Sequence, residues 1–113
     1  MTDYTAHIDT FARDALPPKE QQADTLFELE ALKFPAKLNC AVELLDSNIE
    51  KGLADKIAIQ SADATWTYAQ LLAHVNRIAH VLQVDFGLKP GNRVLLRAPN
   101  NPMMAACWFA VLK

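Results

Sequence analysis

The side chains that could do chemistry here are the carboxylates Glu43, Asp46 and Glu50, three histidines, two cysteines and Arg97. Glu43, Asp46 and Glu50 recur at helical spacing, so they share one side of any helix through them. Such a cluster suits paired acid–base work only inside a cleft. Nothing in the surrounding sequence makes one, and the reading is a solvated helix face. His74 and His80 fall on one helix six residues apart, about 600° of rotation at helical pitch, so they point to different sides. They cannot easily share a metal ion, and His7 lies far from both in the sequence. Cys40 and Cys107 form no CxxC or metal spacing and sit in apolar helical patterns, where a free thiol packs as a small hydrophobe. Both are expected to be buried. No Gly-x-Ser-x-Gly, no His-Glu-x-x-His and no Cys/His pair is present.

The stretch Arg97-Ala98-Pro99-Asn100-Asn101-Pro102 lies where a doubly wound sheet would place a nucleotide. A loop that cradles phosphate needs glycines so that backbone N–H groups can approach the anion. This stretch has none, and its two prolines remove two donors, so nucleotide binding is not expected there. Arg97 could meet a phosphate or carboxylate, but an ion pair or a solvent-facing strand end is the favoured reading. Trp66 and Tyr68 flank a helix start and are expected to pack under a hairpin, with an aromatic ligand contact as the alternative. The sequence names no catalytic, cofactor-binding or metal-binding residue.

The elements that would position such groups are clearest from Thr67 onward. Thr67 and Gln70 have the spacing of a capping box. Leu71, Val75, Ile78, Ala79 and Leu82 then form one apolar helical stripe, and Gly87 is the natural stop. Lys89-Pro90-Gly91-Asn92 should reverse the chain in a type II turn with positive φ at Gly91. Val94-Leu95-Leu96 is a short apolar run, as expected of a strand covered on both faces. Asn101 should cap a second helix with Pro102 in its first position. That helix, Met103 to Lys113, is apolar on nearly every face and carries no stop signal, so the chain reads as cut.

Upstream, Ile8, Phe11 and Ala12 allow a short amphipathic helix within Ala6 to Arg13, broken by Leu16-Pro17-Pro18. Lys19 to Asp24 is polar loop. Leu26, Phe27, Leu29, Leu32 and Phe34 lack a clean period and suggest an extended arm or one irregular helical turn. Asn39 is a good N-cap for a helix that buries Val42, Leu45 and Ile49 and ends at Gly52. Ile57 to Gln60 alternates like an edge strand, Ser61 to Ala64 is turn-like, and Thr65-Trp66-Thr67 returns, so a β-hairpin is expected.

The 113 residues suggest one domain or part of one, and 51% of them are hydrophobic, an excess that suits a core shared with something further. A formal charge of −2 without a basic run argues against nucleic acid and against a membrane-surface patch. No leader-like segment opens the sequence, and no run approaches the roughly twenty apolar residues of a spanning helix. A cytoplasmic location is expected.

The runs TWTYAQLLAHVNRIAHVLQ, GLKPGNRVLL, APNNP and AACWFAVLK together resemble the N-terminal segment of the adenylate-forming (acyl-CoA synthetase, luciferase-like) superfamily. Leu16-Pro17-Pro18, Leu38 to Asp46 and Arg93 to Lys113 are similar in detail to its aryl-acid branch, the 2-aminobenzoate– and benzoate–CoA ligases. The resemblance implies an α/β fold: the N-terminal piece of the large domain, with N-terminal helices, a hairpin, a helix, a strand, a buried helix and an incomplete sheet. Residues 1–38 would form an N-terminal arm, and 39–113 the truncated start of the AMP-binding domain. The parent enzyme would use ATP, Mg²⁺ and coenzyme A to activate an aromatic carboxylic acid as an acyl-adenylate and transfer it to the thiol. The superfamily's phosphate loop, ribose-binding acid and catalytic lysine match nothing between Met1 and Lys113. The piece itself is therefore expected to be scaffold that holds no cofactor and to self-associate through its unpaired strand and last helix. The alternative reading is a stand-alone α/β interaction module without enzymatic activity.

Overall fold

The computed structural model describes residues 6–113, and these residues divide into two compact units. The smaller unit comprises the chain up to Leu38 together with Lys89–Arg93. It contains the short helix α1 (Phe11–Asp14) and single 3₁₀ turns at Lys19–Gln21 and Glu30–Leu32. None of these elements buries a residue. The apolar positions of this arm have no period that could gather them on one face; the Phe27 and Phe34 rings meet edge to face at 5.7 Å. The helix expected within Ala6 to Arg13 forms later and shorter, at Phe11–Asp14. The Lys89–Asn92 turn closes as the sequence requires: the Asn92 N–H donates to the Lys89 carbonyl at 3.0 Å, and Gly91 has a φ of +96°.

The larger unit comprises Asn39–Leu88 and Val94–Lys113. Asn39 caps its first helical segment, its Oδ1 accepting from the N–H groups of Ala41 and Val42. The segment winds as a π-turn at Val42–Asp46 and as α2 at Ser47–Glu50. Gly52, at φ +77°, ends it, with the Leu53 N–H reaching the Asn48 carbonyl and the Gly52 N–H the Ile49 carbonyl, the double closure of a Schellman motif. The inward face differs from the sequence expectation. Ala41 and Leu45 are buried, whereas Val42 is exposed. Starting at the Asn39 cap, the i,i+4 pair that faces inward is 41 and 45, which turns Val42 outward.

Strands β1 (Ile57–Gln60) and β2 (Thr65–Thr67) pair antiparallel, with Ile57 opposite Thr67 and Ile59 opposite Trp66. The register slips by one residue between Ile57 and Ile59. This bulge interrupts the expected alternation and leaves Ala58 and Ile59 both half-buried against the core. Helix α3 (Tyr68–His80) starts directly from β2. Its capping box is closed in both directions, Thr67 Oγ1 accepting from the Gln70 N–H and Gln70 Oε1 from the Thr67 N–H. The N–H groups of Tyr68 and Ala69 donate to the Lys56 and Ala54 carbonyls. The open donors of the first turn are thus used to seat the helix on the loop before the hairpin. A π-turn at Val81–Asp85 extends α3 until Gly87.

Helix α4 (Pro102–Leu112) opens on Asn101, whose Oδ1 accepts from the Met104 N–H at 2.9 Å, with Pro102 in the first position. It packs on α3, and a cluster of buried residues gathers there: Leu45, Leu71, Val75, Ala106 and Ala110. Ile59, Trp66, Tyr68, Ile78, Leu82 and Phe109 flank them, half-buried. The helix is not buried all round, since Met103, Trp108 and Leu112 are exposed.

Val94-Leu95-Leu96 is not a strand. The segment runs without a ladder partner, and Leu95 is 93% exposed. A strand exists only through hydrogen bonds to a neighbour, and the only sheet among the described residues is the β1–β2 pair.

Leu45→Ala should lower unfolding stability by about 2–5 kcal/mol through the cavity it leaves. Leu95→Ala, at an exposed position, should change it by no more than about 0.5 kcal/mol. Urea midpoints of the two variants check the pair, and a similar loss for both would contradict the burial described.

Candidate functional site

In the larger unit an open cleft of about 410 Å³ lies between the hairpin turn and the start of α4. Ser61, Asp63, Trp66, Asn100 and Met103 are among its lining residues. It therefore includes part of the Arg97–Pro102 stretch, the place where the sequence raised and rejected a nucleotide. The polar groups of the cleft are largely committed to local turns. Ser61 Oγ accepts from the Ala64 N–H and donates to the Ala64 carbonyl, both at 3.1 Å. Asn101 Oδ1 is taken by the Met104 N–H, and the Met104 and Ala105 N–H groups also reach the Asn101 carbonyl. Pro102 has no N–H, so the first turn of α4 keeps at most the Met103 donor for an anion. Asp63 is exposed and would repel one.

The other candidates are dispersed. Arg97 is exposed. His74 stacks on Trp66, with ring centroids 4.3 Å apart and planes within 15°, so the ring packs where the sequence left it without a role. His80 is exposed and, as its spacing requires, lies on another side of α3. Tyr68 flanks the core. Glu43 and Glu50 are exposed, but Asp46 corrects the expectation of a fully solvated face. Its Oδ1 lies 2.5 Å from Lys113 Nζ, and the two side chains are 27% and 21% exposed. Asp46 Oδ2 is shielded from solvent and accepts no hydrogen bond. Asn39 Nδ2 donates to the main-chain oxygen of Lys113 at 3.0 Å. The sequence could not show this cluster, because its members lie 67 and 74 positions apart. It places a cation at the C-terminal end of α4, where the helix dipole favours one. Among the described residues, no group of three or more His, Cys, Asp or Glu could hold a metal ion. No helix of the described residues is long and apolar enough to cross a membrane.

The model of the AMP-binding enzyme family matches residues 45–113, more than half of the chain. The chain belongs to that family. An acetyl-coenzyme A synthetase of Cupriavidus metallidurans is 41% identical over 68 residues, which cover 56% of this chain and 10% of the relative. Acyl-CoA synthetase short-chain family member 3, mitochondrial, of Homo sapiens is 38% identical over 80 residues, 62% of this chain and 12% of the relative. A benzoate–CoA ligase of Thauera aromatica is 33% identical over 66 residues, 58% of this chain and 12% of the relative. The chain thus spans about a tenth of the length of these curated relatives. No solved structure gives a significant match. The matched residues hold the hairpin, α3 and α4.

Both cysteines are free, and here too the sequence expectation fails for one of them. Cys40 is exposed and Cys107 half-buried. Cys40 directly follows the Asn39 cap, one position before the inward-facing Ala41, so it projects away from the core. A maleimide should label Cys40 at least several-fold faster than Cys107 in the folded protein and at equal rates in urea, because access controls the difference. Equal rates in buffer would contradict the half-buried state of Cys107.

Proposed function

We propose that this chain is the opening scaffold of an AMP-forming acid–CoA ligase, with residues 1–38 as an N-terminal arm and 39–113 as the start of its AMP-binding domain. The observation that carries the reading is the family match over residues 45–113, supported by acyl-CoA synthetases among the relatives. In such an enzyme a carboxylate oxygen attacks the α-phosphorus of ATP and pyrophosphate leaves. The coenzyme A thiol then attacks the acyl carbon and AMP leaves. Mg²⁺ would offset triphosphate charge. The role proposed for this chain is to pack and orient the first elements of the domain.

The substrate class we propose is an aromatic carboxylic acid, benzoate or 2-aminobenzoate. The likeness at Leu38 to Asp46 and Arg93 to Lys113 supports it, as does the benzoate–CoA ligase among the relatives. A short-chain acid is the second reading, favoured by the higher identity to acetyl-coenzyme A synthetases, 41% and 39%. Self-association of the chain rests on the exposed Leu95, Met103, Trp108 and Leu112 alone.

Two measurements test this. The 113-residue chain, incubated with ATP, Mg²⁺ and benzoate, should release no pyrophosphate above a buffer blank, since transfer of this kind depends on positioning and electrostatics it does not supply. Release that rises with chain concentration would overturn the scaffold role. The product of the complete reading frame should form an aryl-CoA thioester and AMP, with higher kcat/KM for benzoate or 2-aminobenzoate than for acetate. Preference for acetate would replace the aromatic substrate with the short-chain one. Absence of any acyl-CoA product would overturn the ligase reading and favour the interaction module.

A further inference from the structure

We infer that Ile8–Phe11 is a releasable strap, clipped onto the Lys89–Arg93 segment some eighty residues further along the chain. The clip has a main-chain part and a side-chain part. The N–H groups of Ile8 and Asp9 both donate to the Pro90 carbonyl, at 2.8 and 3.0 Å. Asp9 Oδ2 accepts from Asn92 Nδ2 at 2.8 Å and from Arg93 Nη1 at 2.7 Å, and Asp9 Oδ1 accepts from the Phe11 N–H at 3.0 Å. The Arg93 guanidinium carbon in turn lies 4.4 Å from the centroid of the Phe11 ring. One arginine therefore grips the strap through a carboxylate and through an aromatic face.

The turn is shaped to receive the strap. The Lys89 N–H donates to Asn92 Oδ1, which holds the Asn92 side chain so that its Nδ2 faces Asp9. Gly91 has a φ of +96°, and a Cβ built there would lie 2.0 Å from the Asp9 carbonyl oxygen. Glycine is thus required twice, by the turn and by the close passage of the strap. The Phe11 N–H, Asn92 and Arg93 hold the Asp9 carboxyl below the usual carboxylate range. At neutral pH it is ionised and engages all three donors.

The clip lies at the surface. Arg93 is 52% exposed, and none of the five buried residues of the core belongs to this unit. A contact made of exposed hydrogen bonds opens more readily than a packed core. The strap is therefore a conformational device: it seats and releases as one piece while Leu45, Leu71, Val75, Ala106 and Ala110 stay packed.

Amide hydrogen exchange on the 113-residue chain tests this, with Asp9→Ala, Arg93→Gln and Gly91→Ala compared with the parent sequence. In the parent, the Ile8 and Asp9 amides should exchange at least roughly tenfold more slowly than an unstructured chain, yet faster than Val75 and Ala106. Asp9→Ala should bring the Ile8 amide to the unstructured rate, and Gly91→Ala should do so for both, with Val75 and Ala106 changed less than about twofold. Arg93→Gln should act in the same direction and by less, because the two main-chain bonds remain. Unprotected Ile8 and Asp9 amides in the parent, or protection unchanged by Asp9→Ala and Gly91→Ala alike, would overturn the strap. Loss of Val75 protection together with that of Ile8 would overturn its independent release.

Discussion

The seam between α3 and α4 is the contact on which the larger unit depends. Leu71 and Val75 on one helix and Ala106 and Ala110 on the other are each an i,i+4 pair, so two parallel stripes meet along one turn. The alanines matter by their smallness, because they let the α4 backbone approach the larger side chains of α3. Leu45 and the half-buried residues of the hairpin then close over the seam. A bulkier residue at 106 or 110 would force the helices apart, and packed interiors tolerate that poorly. Helix α4 is apolar on nearly every side, yet only one stripe of it is specified, and that stripe is its smallest.

Each end of the seam is held by polar groups. Thr67 and Gln70 close the start of α3, while the Lys56 and Ala54 carbonyls take its next two donors. Asn101 and Pro102 start α4, and Asp46 and Asn39 hold its last residue. This use of polar groups has a consequence for function. Ser61 Oγ bonds both main-chain groups of Ala64, and Asn101 Oδ1 accepts from the Met104 N–H, so part of the cleft's polar complement completes a turn and a cap. A side chain that satisfies a helix end cannot serve a ligand without leaving that end open.

What could be read in the sequence follows from this division. Both helix caps, the Gly52 and Gly91 conformations, the hairpin and the α3 stripe are set by residues within a few positions of one another, and local chemistry fixes them. Four of the readings that failed depended on a partner far away in the chain or on small shifts of face. Val94-Leu95-Leu96 has the composition of a strand without a strand to pair with. Val42 gave up the inward face to Ala41 because the Asn39 cap sets the phase of that turn. Cys40, beside the same cap, is exposed despite its apolar neighbours. Asp46 looked like one more solvated carboxylate until folding placed Lys113 beside it. The grip of Arg93 on Asp9 and Phe11 is equally non-local, and no period in the sequence could announce it.

The exposed apolar side chains bear on the proposed ligase. Leu95 at the centre of a strand-like run, and Met103, Trp108 and Leu112 around α4, are apolar side chains that this chain leaves exposed. Composition selected only by the packing seen here would place polar residues at those sites, since large exposed apolar groups are an aggregation hazard. In an α/β domain, strands covered on both faces read as continuous apolar runs, and the helices beside them are apolar toward the sheet. Val94-Leu95-Leu96 followed by α4 has that order of elements and that pattern. The mismatch between composition and burial is therefore of the kind that a scaffold segment of a larger AMP-binding domain would show. Leu95, Met103, Trp108 and Leu112 all lie within residues 45–113, where the family match lies.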